Sequence, residues 1–182
     1  MGAVRATPAS ASDFDDLFRS VWGRAVATAR RILGPGGDPE GLAAEALTRA
    51  YDRWPSVRRH PAPDAWVLRV TINLALDRLR QPVLSDSGTI DLRDDAADAG
   101  LLVASDDDAT ATRLALGAAL RVLPEKQRHA VALRYLAGCD EATIAASLGI
   151  NPGTVKTHLK RGLASLRSQL GPGLETPVAL PG

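Results

Sequence analysis

The chain has 182 residues, which is enough for one ordinary domain or two small ones and too few for a multidomain enzyme. Its composition, 45% hydrophobic and 24% charged, is that of a globular protein rather than a disordered one. Aromatic residues make up only 4%, so alanine, leucine and valine must fill the core, which favours packed helices over a sheet. The single cysteine, Cys139, excludes an internal disulfide and a multi-cysteine metal site.

The net charge of +1 conceals an uneven distribution along the chain. Residues 1–82 carry twelve Arg and Lys against nine Asp and Glu, residues 83–112 carry one against eight, and residues 113–182 carry nine against four. Two mildly basic segments therefore flank an acidic one. Such an asymmetry indicates that the segments have different roles.

No segment has the pattern of a targeting or membrane-spanning sequence. Residues 1–12 lack the apolar run of a signal peptide, and no stretch approaches the roughly 18 uninterrupted apolar residues that a membrane helix needs. We therefore expect a cytoplasmic protein without membrane insertion, a location that also suits a lone cysteine.

The first basic segment predicts three helices. Apolar residues repeat at steps of three and four from Phe14 to Leu33, and the run GPGGDP ends that helix. Asp38 as the cap and Pro39 in the first turn predict a second helix that ends near Pro55. A basic loop follows, and a third, largely apolar helix is expected from about Ala65 to Arg80.

The third helix carries a polar ridge. Arg69, Asn73, Asp77 and Arg80 follow one another at steps of four, four and three, which aligns them on one face. The pattern alone fits two interpretations: a solvated strip on an otherwise buried helix, or a surface that faces a ligand.

Residues 83–112 predict a flexible acidic linker, because Asp, Ala, Ser and Gly dominate and no apolar period is sustained. Fully extended, some 30 residues span up to about 100 Å, so the flanking domains can act far apart. The acidic clusters lack the EF-hand spacing, and no metal ion or other cofactor is expected. Residues 171–182 are expected to form a disordered tail.

Residues 113–170 predict a second helical domain that ends in a helix-turn-helix. Asp140 caps a short helix, Gly149 makes the turn, and Asn151 with Pro152 begins a longer helix whose Val155 faces inward. Cationic and polar residues cluster in its first turns, where such a helix contacts base edges and phosphates. The duplex-binding candidates are Thr154, Lys156, Thr157, His158, Lys160 and Arg161.

Two parts of the chain resemble one family. The sequence LPEKQRHAVALRYLAGCDEATIAASLGINPGTVKTHLKRGLASLR, residues 123–167, resembles region 4 of the extracytoplasmic-function (ECF) sigma factors of bacterial RNA polymerase. The stretches AEALTRAYDRWPSV and PDAWVLRVTINLALDRLR, within residues 44–80, are similar to region 2 of the same family. Their order and their separation by a linker are also those of the family.

The resemblance implies a role for each part of the chain. Region 2 of the family, here residues 1–82, docks on the β′ clamp helices of core RNA polymerase through its second helix and captures the melted minus-ten promoter element. Region 4 reads the duplex minus-thirty-five element and touches the β flap. The implied polymerase-binding residues are Glu45, Arg49 and Asp52. The implied melted-strand residues are Arg58, Arg59, Arg69, Asn73 and Arg80, since cations track phosphates and an Asn can bond an unstacked base.

Two other functions are left as alternatives. Because GTVKTHL also occurs in LuxR-type regulators, the chain could bind duplex DNA as a dimer without being a polymerase subunit. A small helical enzyme has less support, because no nucleophile–base pair or phosphate loop has usable spacing. Neither the promoter sequence nor the presence of an anti-sigma factor as a further partner follows from the sequence.

Overall fold

The computed structural model describes residues 8–80 and 106–171 of the chain. Within these two ranges the regular structure is entirely helical, which confirms the all-α prediction with two small domains. The helices are α1 (Pro8–Leu33), α2 (Pro39–Asp52), α3 (Trp54–Val57), α4 (Pro63–Arg80), α5 (Asp106–Val122), α6 (Glu125–Tyr135), α7 (Glu141–Leu148) and α8 (Pro152–Leu170).

The N-terminal domain is a bundle of α1, α2 and α4. Helix α4 packs against both of the other helices, and its Val67, Leu68 and Ile72 are fully buried. Helix α1 contributes Val21 and Ala25 to the same core. A side chain on the outer ridge of α4 is therefore held in a fixed direction by a well-packed helix.

The C-terminal domain consists of α5 to α8. Helix α8 packs against α5, α6 and α7, and the fully buried Leu133, Ile144 and Val155 form the centre of the contact. Gly162 on α8 allows a close approach of α6, because a Cβ atom there would lie 2.7 Å from Cγ2 of Val131. The long helix is thus fixed along one side, and its opposite side is left for other contacts.

Three expected boundaries differ from the structure. Helix α5 begins at Asp106, about two helical turns before the predicted linker end at 112. Asp108 lies in the first turn of this helix, where negative charge is favourable. A short helix, α3, occupies Trp54–Val57, and α4 begins at Pro63, two residues before the expected Ala65. Residues 83–105 of the predicted linker and 172–182 of the tail lie outside the described residues.

The two domains contact each other, although the sequence allowed them to act far apart. Helix α4 packs against α5, α6 and α7. Arg31 Nη1 donates to the carbonyl oxygen of Leu136 at 2.6 Å, and Arg121 Nη1 donates to that of Leu76 at 2.9 Å.

No described helix is long and apolar enough to cross a membrane.

Candidate nucleic-acid interface

The helix-turn-helix is fixed by two side-chain caps and a left-handed glycine. Asp140 Oδ1 accepts a hydrogen bond from the amide of Thr143 at 2.7 Å, which begins α7, and this bond lowers the pKa of that carboxyl. Gly149 ends α7 with φ of 62°, a conformation that a side chain disfavours. Asn151 Oδ1 accepts from the amide of Thr154 at 2.8 Å and begins α8. The predicted caps and turn are confirmed.

The first turns of α8 present cations to solvent. Val155 and Leu159 are buried, while Lys156, Lys160 and Arg161 are exposed. The Nζ atom of Lys156 lies 3.8 Å from Oε2 of Glu141, a distance that leaves the ammonium free to turn towards another anion. The structure therefore brings three of the predicted duplex-binding side chains onto one open face.

The remaining three predicted side chains of α8 differ in exposure. Thr157 is exposed, and its hydroxyl donates to the carbonyl of Gly153 at 3.2 Å. Thr154 is half-buried and donates its hydroxyl to the cap of Asn151 at 2.9 Å. His158 is half-buried too, and its buried Nδ1 has no hydrogen-bond partner in the structure. Thr154 thus takes part in the cap of α8, and His158 is only partly open to solvent.

The polar ridge of α4 is divided between solvent and the C-terminal domain. Arg80 is exposed, whereas Arg69 and Asn73 are half-buried. Arg69 Nη1 donates to the carbonyl of Ser147 at 3.0 Å, and Oδ1 of Asn73 lies 2.9 Å from Nε2 of His129. The structure therefore shows neither the solvated strip nor the open ligand-facing ridge that the sequence suggested, because half of the ridge lies under the other domain.

The basic loop before α4 keeps its two arginines in solvent. Arg58 and Arg59 are both exposed, and the loop is shaped by the amide of Ala62, which donates to Nδ1 of His60 at 3.0 Å. The structure leaves both guanidinium groups available to a phosphate chain.

The outer face of α2 carries the third predicted set. Glu45, Arg49 and Asp52 are all exposed, and Arg49 Nη2 donates to Oε1 of Glu45 at 2.6 Å across one helical turn. A mixed-charge, exposed helix face of this kind can pair with complementary charges on another protein.

Comparison with known proteins decides the family. Residues 17–82 match the model "Sigma-70 region 2" and residues 113–166 match "Sigma-70, region 4". The chain is 35% identical over 161 residues to the RNA polymerase sigma-E factor of Streptomyces avermitilis, covering 87% of this chain and 85% of the relative. It is 30% identical over 158 residues to the ECF RNA polymerase sigma factor SigM of Mycobacterium tuberculosis, covering 87% and 77%.

The chain belongs to the ECF sigma factors of RNA polymerase. It is an RNA polymerase sigma factor, and its partners are RNA polymerase and promoter DNA. The solved structure of CnrH in complex with the cytosolic domain of CnrY has the same fold, with a TM-score of 0.51, 18% identity, and coverage of 88% of this chain and 94% of CnrH. The LuxR-type alternative is not supported, since the N-terminal half matches region 2.

Sequence reasoning missed a groove on the sigma factor between α2, α4 and α6. Its volume is about 470 Å³. Trp66 and Arg53 lie in it beside four predicted residues, and a tryptophan next to a polar ridge was a usable signal. The lining residues are Arg49, Asp52, Arg53, Trp66, Arg69, Val70, Asn73, Glu125 and His129. An aromatic face with several guanidinium groups suits a nucleotide, which offers a base to stack and a phosphate to pair.

His129 forms the floor of this groove and is held neutral. Only 2% of its surface is exposed, and burial lowers its pKa from 6.5 to about 4, helped by the positive charges of Arg69 and Arg128. Glu125 Oε1 is 3.8 Å from Nδ1 and opposes this shift, but that carboxylate is 76% exposed and therefore screened. Among residues 8–80 and 106–171, no group of three or more His, Cys, Asp or Glu side chains could hold a metal ion.

Proposed function

We propose that this sigma factor divides promoter recognition between its two domains. In this proposal α8 reads the duplex minus-thirty-five element, the α4 ridge with the loop before it holds the unpaired strand of the minus-ten element, and the outer face of α2 binds core polymerase. The observation that carries the proposal is the orientation of α8, with Val155 and Leu159 in the core and Lys156, Lys160 and Arg161 in solvent.

The α8 surface suits duplex DNA. An α-helix fits the major groove, and the residues at its N-terminal end reach the base edges. Lys156, Thr157 and Lys160 are proposed for base edges or phosphates, and Arg161 for phosphate. The helix dipole also places a partial positive charge at the start of α8, which favours a phosphate.

The N-terminal surface suits a single strand. Arg58 and Arg59 in the loop and Arg80 at the end of α4 are exposed cations that can follow a phosphate chain. Asn73 offers an amide that can bond the edge of an unstacked base, and Arg69 lies one turn away. These residues lie on one helix and the loop that leads into it; Arg69 and Asn73 are half-buried beside the C-terminal domain in this structure, where they bond Ser147 and His129.

We propose that the protein carries out no covalent chemistry itself. Binding the unpaired strand more tightly than the paired one shifts the melting equilibrium towards open DNA. The polymerase flap for α8 and the β′ clamp helices for Glu45, Arg49 and Asp52 are the proposed docking points. Because the proposed partners are polymerase and DNA, a cytoplasmic location is part of the proposal. An anti-sigma factor as a further partner stays a prediction.

The test compares two classes of variant in a holoenzyme reconstituted from core polymerase. Lys156→Ala and Lys160→Ala are expected to weaken binding to closed promoter DNA and to spare strand opening once bound. Asn73→Ala is expected to spare closed binding and to reduce the permanganate reactivity of thymines in the minus-ten element. Variants of both classes that show the same defect would contradict the division of labour.

A further inference from the structure

The open face of α8 carries cations, and the carboxylate that reaches it belongs to another helix. Helix α8 contains no Asp or Glu, and Lys156, Lys160 and Arg161 are exposed on it. The Oε2 atom of Glu141, the first residue of α7, lies 3.8 Å from Nζ of Lys156. Within the described part of the chain, Lys160 and Arg161 have no ion-pair partner. One of the three proposed DNA-binding cations is therefore paired with an anion.

The carboxylate is the more firmly held partner of this pair. Glu141 directly follows Asp140, whose side chain caps α7 and fixes its first turn. Helix α7 packs on α8, and Ile144 and Val155 of the two helices are fully buried. The side chain of Glu141 is 36% exposed, whereas that of Lys156 is 71% exposed. The ammonium can therefore move between partners, while the carboxylate stays beside the start of α8.

A carboxylate at this place changes which DNA groups Lys156 can bind with profit. An ammonium has three donors, so it can contact Glu141 and a second acceptor at the same time. If the second acceptor is a phosphate, the carboxylate and the phosphate repel each other. The edge of a guanine offers O6 and N7, which lysine recognises in the major groove, and these atoms carry no full negative charge. The repulsion at a guanine edge is therefore much weaker than at a phosphate.

We propose that Glu141 is a positioning residue for sequence selection: it reduces the affinity that Lys156 gains from phosphates and leaves the gain from a guanine edge in place. The inference rests on the proposed function, which assigns duplex reading to α8. Phosphates are the same at every sequence, so a cation that binds them adds affinity without selectivity. By weakening that contact, Glu141 raises the ratio of promoter affinity to non-specific affinity.

The test removes the charge of Glu141 and keeps its shape. Glu141→Gln retains a side chain of the same length that no longer competes as an anion. Asp140→Asn is the matched control, because it removes one negative charge from the neighbouring residue and keeps an oxygen for the capping bond to Thr143. Each variant is assembled with core polymerase and titrated with two duplexes. One is a promoter selected by the wild-type holoenzyme, and the other is the same duplex with a scrambled minus-thirty-five element.

Glu141→Gln should bind the scrambled duplex about threefold more tightly, which is the scale of an exposed ion pair. Its affinity for the intact promoter should change less, so the ratio of the two affinities falls. The slope of log K against log salt on the scrambled duplex should steepen by about 0.9, the value for one added phosphate contact. Asp140→Asn should keep the ratio of the wild type. An unchanged ratio in Glu141→Gln, or an equal fall in Asp140→Asn, overturns the inference.

A double variant shows whether Glu141 acts through Lys156. In the Lys156→Ala background, adding Glu141→Gln should leave the ratio unchanged, because the ammonium is gone. A fall as large as in the wild-type background means that the carboxylate acts on DNA directly, and it overturns the positioning role.

Lys156→Ala alone separates this inference from the proposed function. If this variant binds the intact promoter as tightly as the wild type does, the proposed role of α8 fails. If it binds that promoter more weakly while Glu141→Gln changes neither affinity, the proposed role of α8 stands and only the inference about Glu141 fails.

Discussion

The side-chain oxygen of Asn73 on α4 lies 2.9 Å from Nε2 of His129 on α6. Asn73 belongs to the domain that matches sigma region 2, and His129 belongs to the domain that matches region 4. This hydrogen bond occupies a group that we propose for an unstacked base. Its partner is a neutral ring that cannot serve as a salt-bridge cation near neutral pH.

His129 makes stability depend on pH in a defined window. Its pKa is about 4 in the folded chain and 6.5 when unperturbed, so folding favours the neutral ring. This contribution is complete above pH 6.5 and is lost as the pH falls towards 4. We expect the free energy of unfolding, measured by urea titration, to drop between pH 7 and pH 5, by at most about 1.4 kcal/mol per pH unit from this one group.

The control for this prediction is His129→Gln, which keeps a neutral donor. The groups that face the ring from α4 and α6 are Arg69, Arg128 and Glu125, with Arg49, Asp52 and Arg53 across the groove. The wild type should lose more stability than the variant between pH 7 and pH 5. Equal losses, or an NMR titration of the His129 ring with a midpoint at or above 6.5, would show that the ring is not held neutral.

The cations of α8 predict a salt dependence of duplex binding. Replacing Lys156 or Lys160 by alanine should reduce the slope of log K against log salt by about 0.9 for each phosphate contact removed. Arg167→Ala is the matched control, since Arg167 is exposed in the last turn of the same helix. The slopes are measured with holoenzyme on promoter duplex. If Arg167→Ala reduces the slope by as much, the DNA contacts the whole length of α8 rather than only its start.

The cap of α8 predicts a local stability effect. Asn151→Ala removes the acceptor for the amide of Thr154, which should cost about 1 kcal/mol. Asn151→Asp keeps an oxygen acceptor and should be close to neutral. Thermal unfolding followed by circular dichroism measures both variants. If alanine and aspartate destabilise equally, the side-chain oxygen does not stabilise the start of α8.

The outer face of α2 predicts an effect on polymerase binding. Arg49→Glu places a second carboxylate one helical turn from that of Glu45 and reverses the charge at position 49. We expect affinity for core polymerase to fall about fivefold, which corresponds to ~1 kcal/mol. Arg19→Glu on α1 is the control, because Arg19 is also exposed and paired along its own helix, with Asp16. Fluorescence anisotropy of labelled chain with core polymerase measures both; equal losses would argue against α2 as the docking face.

Local signals in the sequence predicted the helix-turn-helix well. Asp140, Gly149 and Asn151 each begin or end a helix through bonds to atoms a few residues away. A short stretch of sequence is therefore enough to predict these helix ends. The extensive burial of α4 agrees in the same way with the largely apolar helix that the sequence predicts there. The start of α5 was missed because acidic residues without an apolar period predict a linker, whereas Asp108 lies in the first turn of a helix, where negative charge is favourable.

The contact between the domains was beyond sequence reasoning. Arg31, Arg69 and Arg121 donate to backbone carbonyls, and every residue has a carbonyl, so no residue type marks the acceptor. Gly117 gave a faint signal as a glycine inside a helical pattern, but its reason lies in Leu79, 38 positions earlier in the chain. The groove beside Trp66 could not be predicted either, because its lining residues come from α2, α4 and α6, which are distant from one another in the sequence.

The most direct test of promoter selection by two domains is transcription from a promoter library by core polymerase with and without this chain. The account predicts that the chain enriches start sites preceded by two separate sequence motifs, one near minus thirty-five and one near minus ten. It also predicts that Lys156→Ala weakens dependence on the first motif and Asn73→Ala on the second. Start sites identical to those of core polymerase alone, or a single motif unaffected by either substitution, would contradict it.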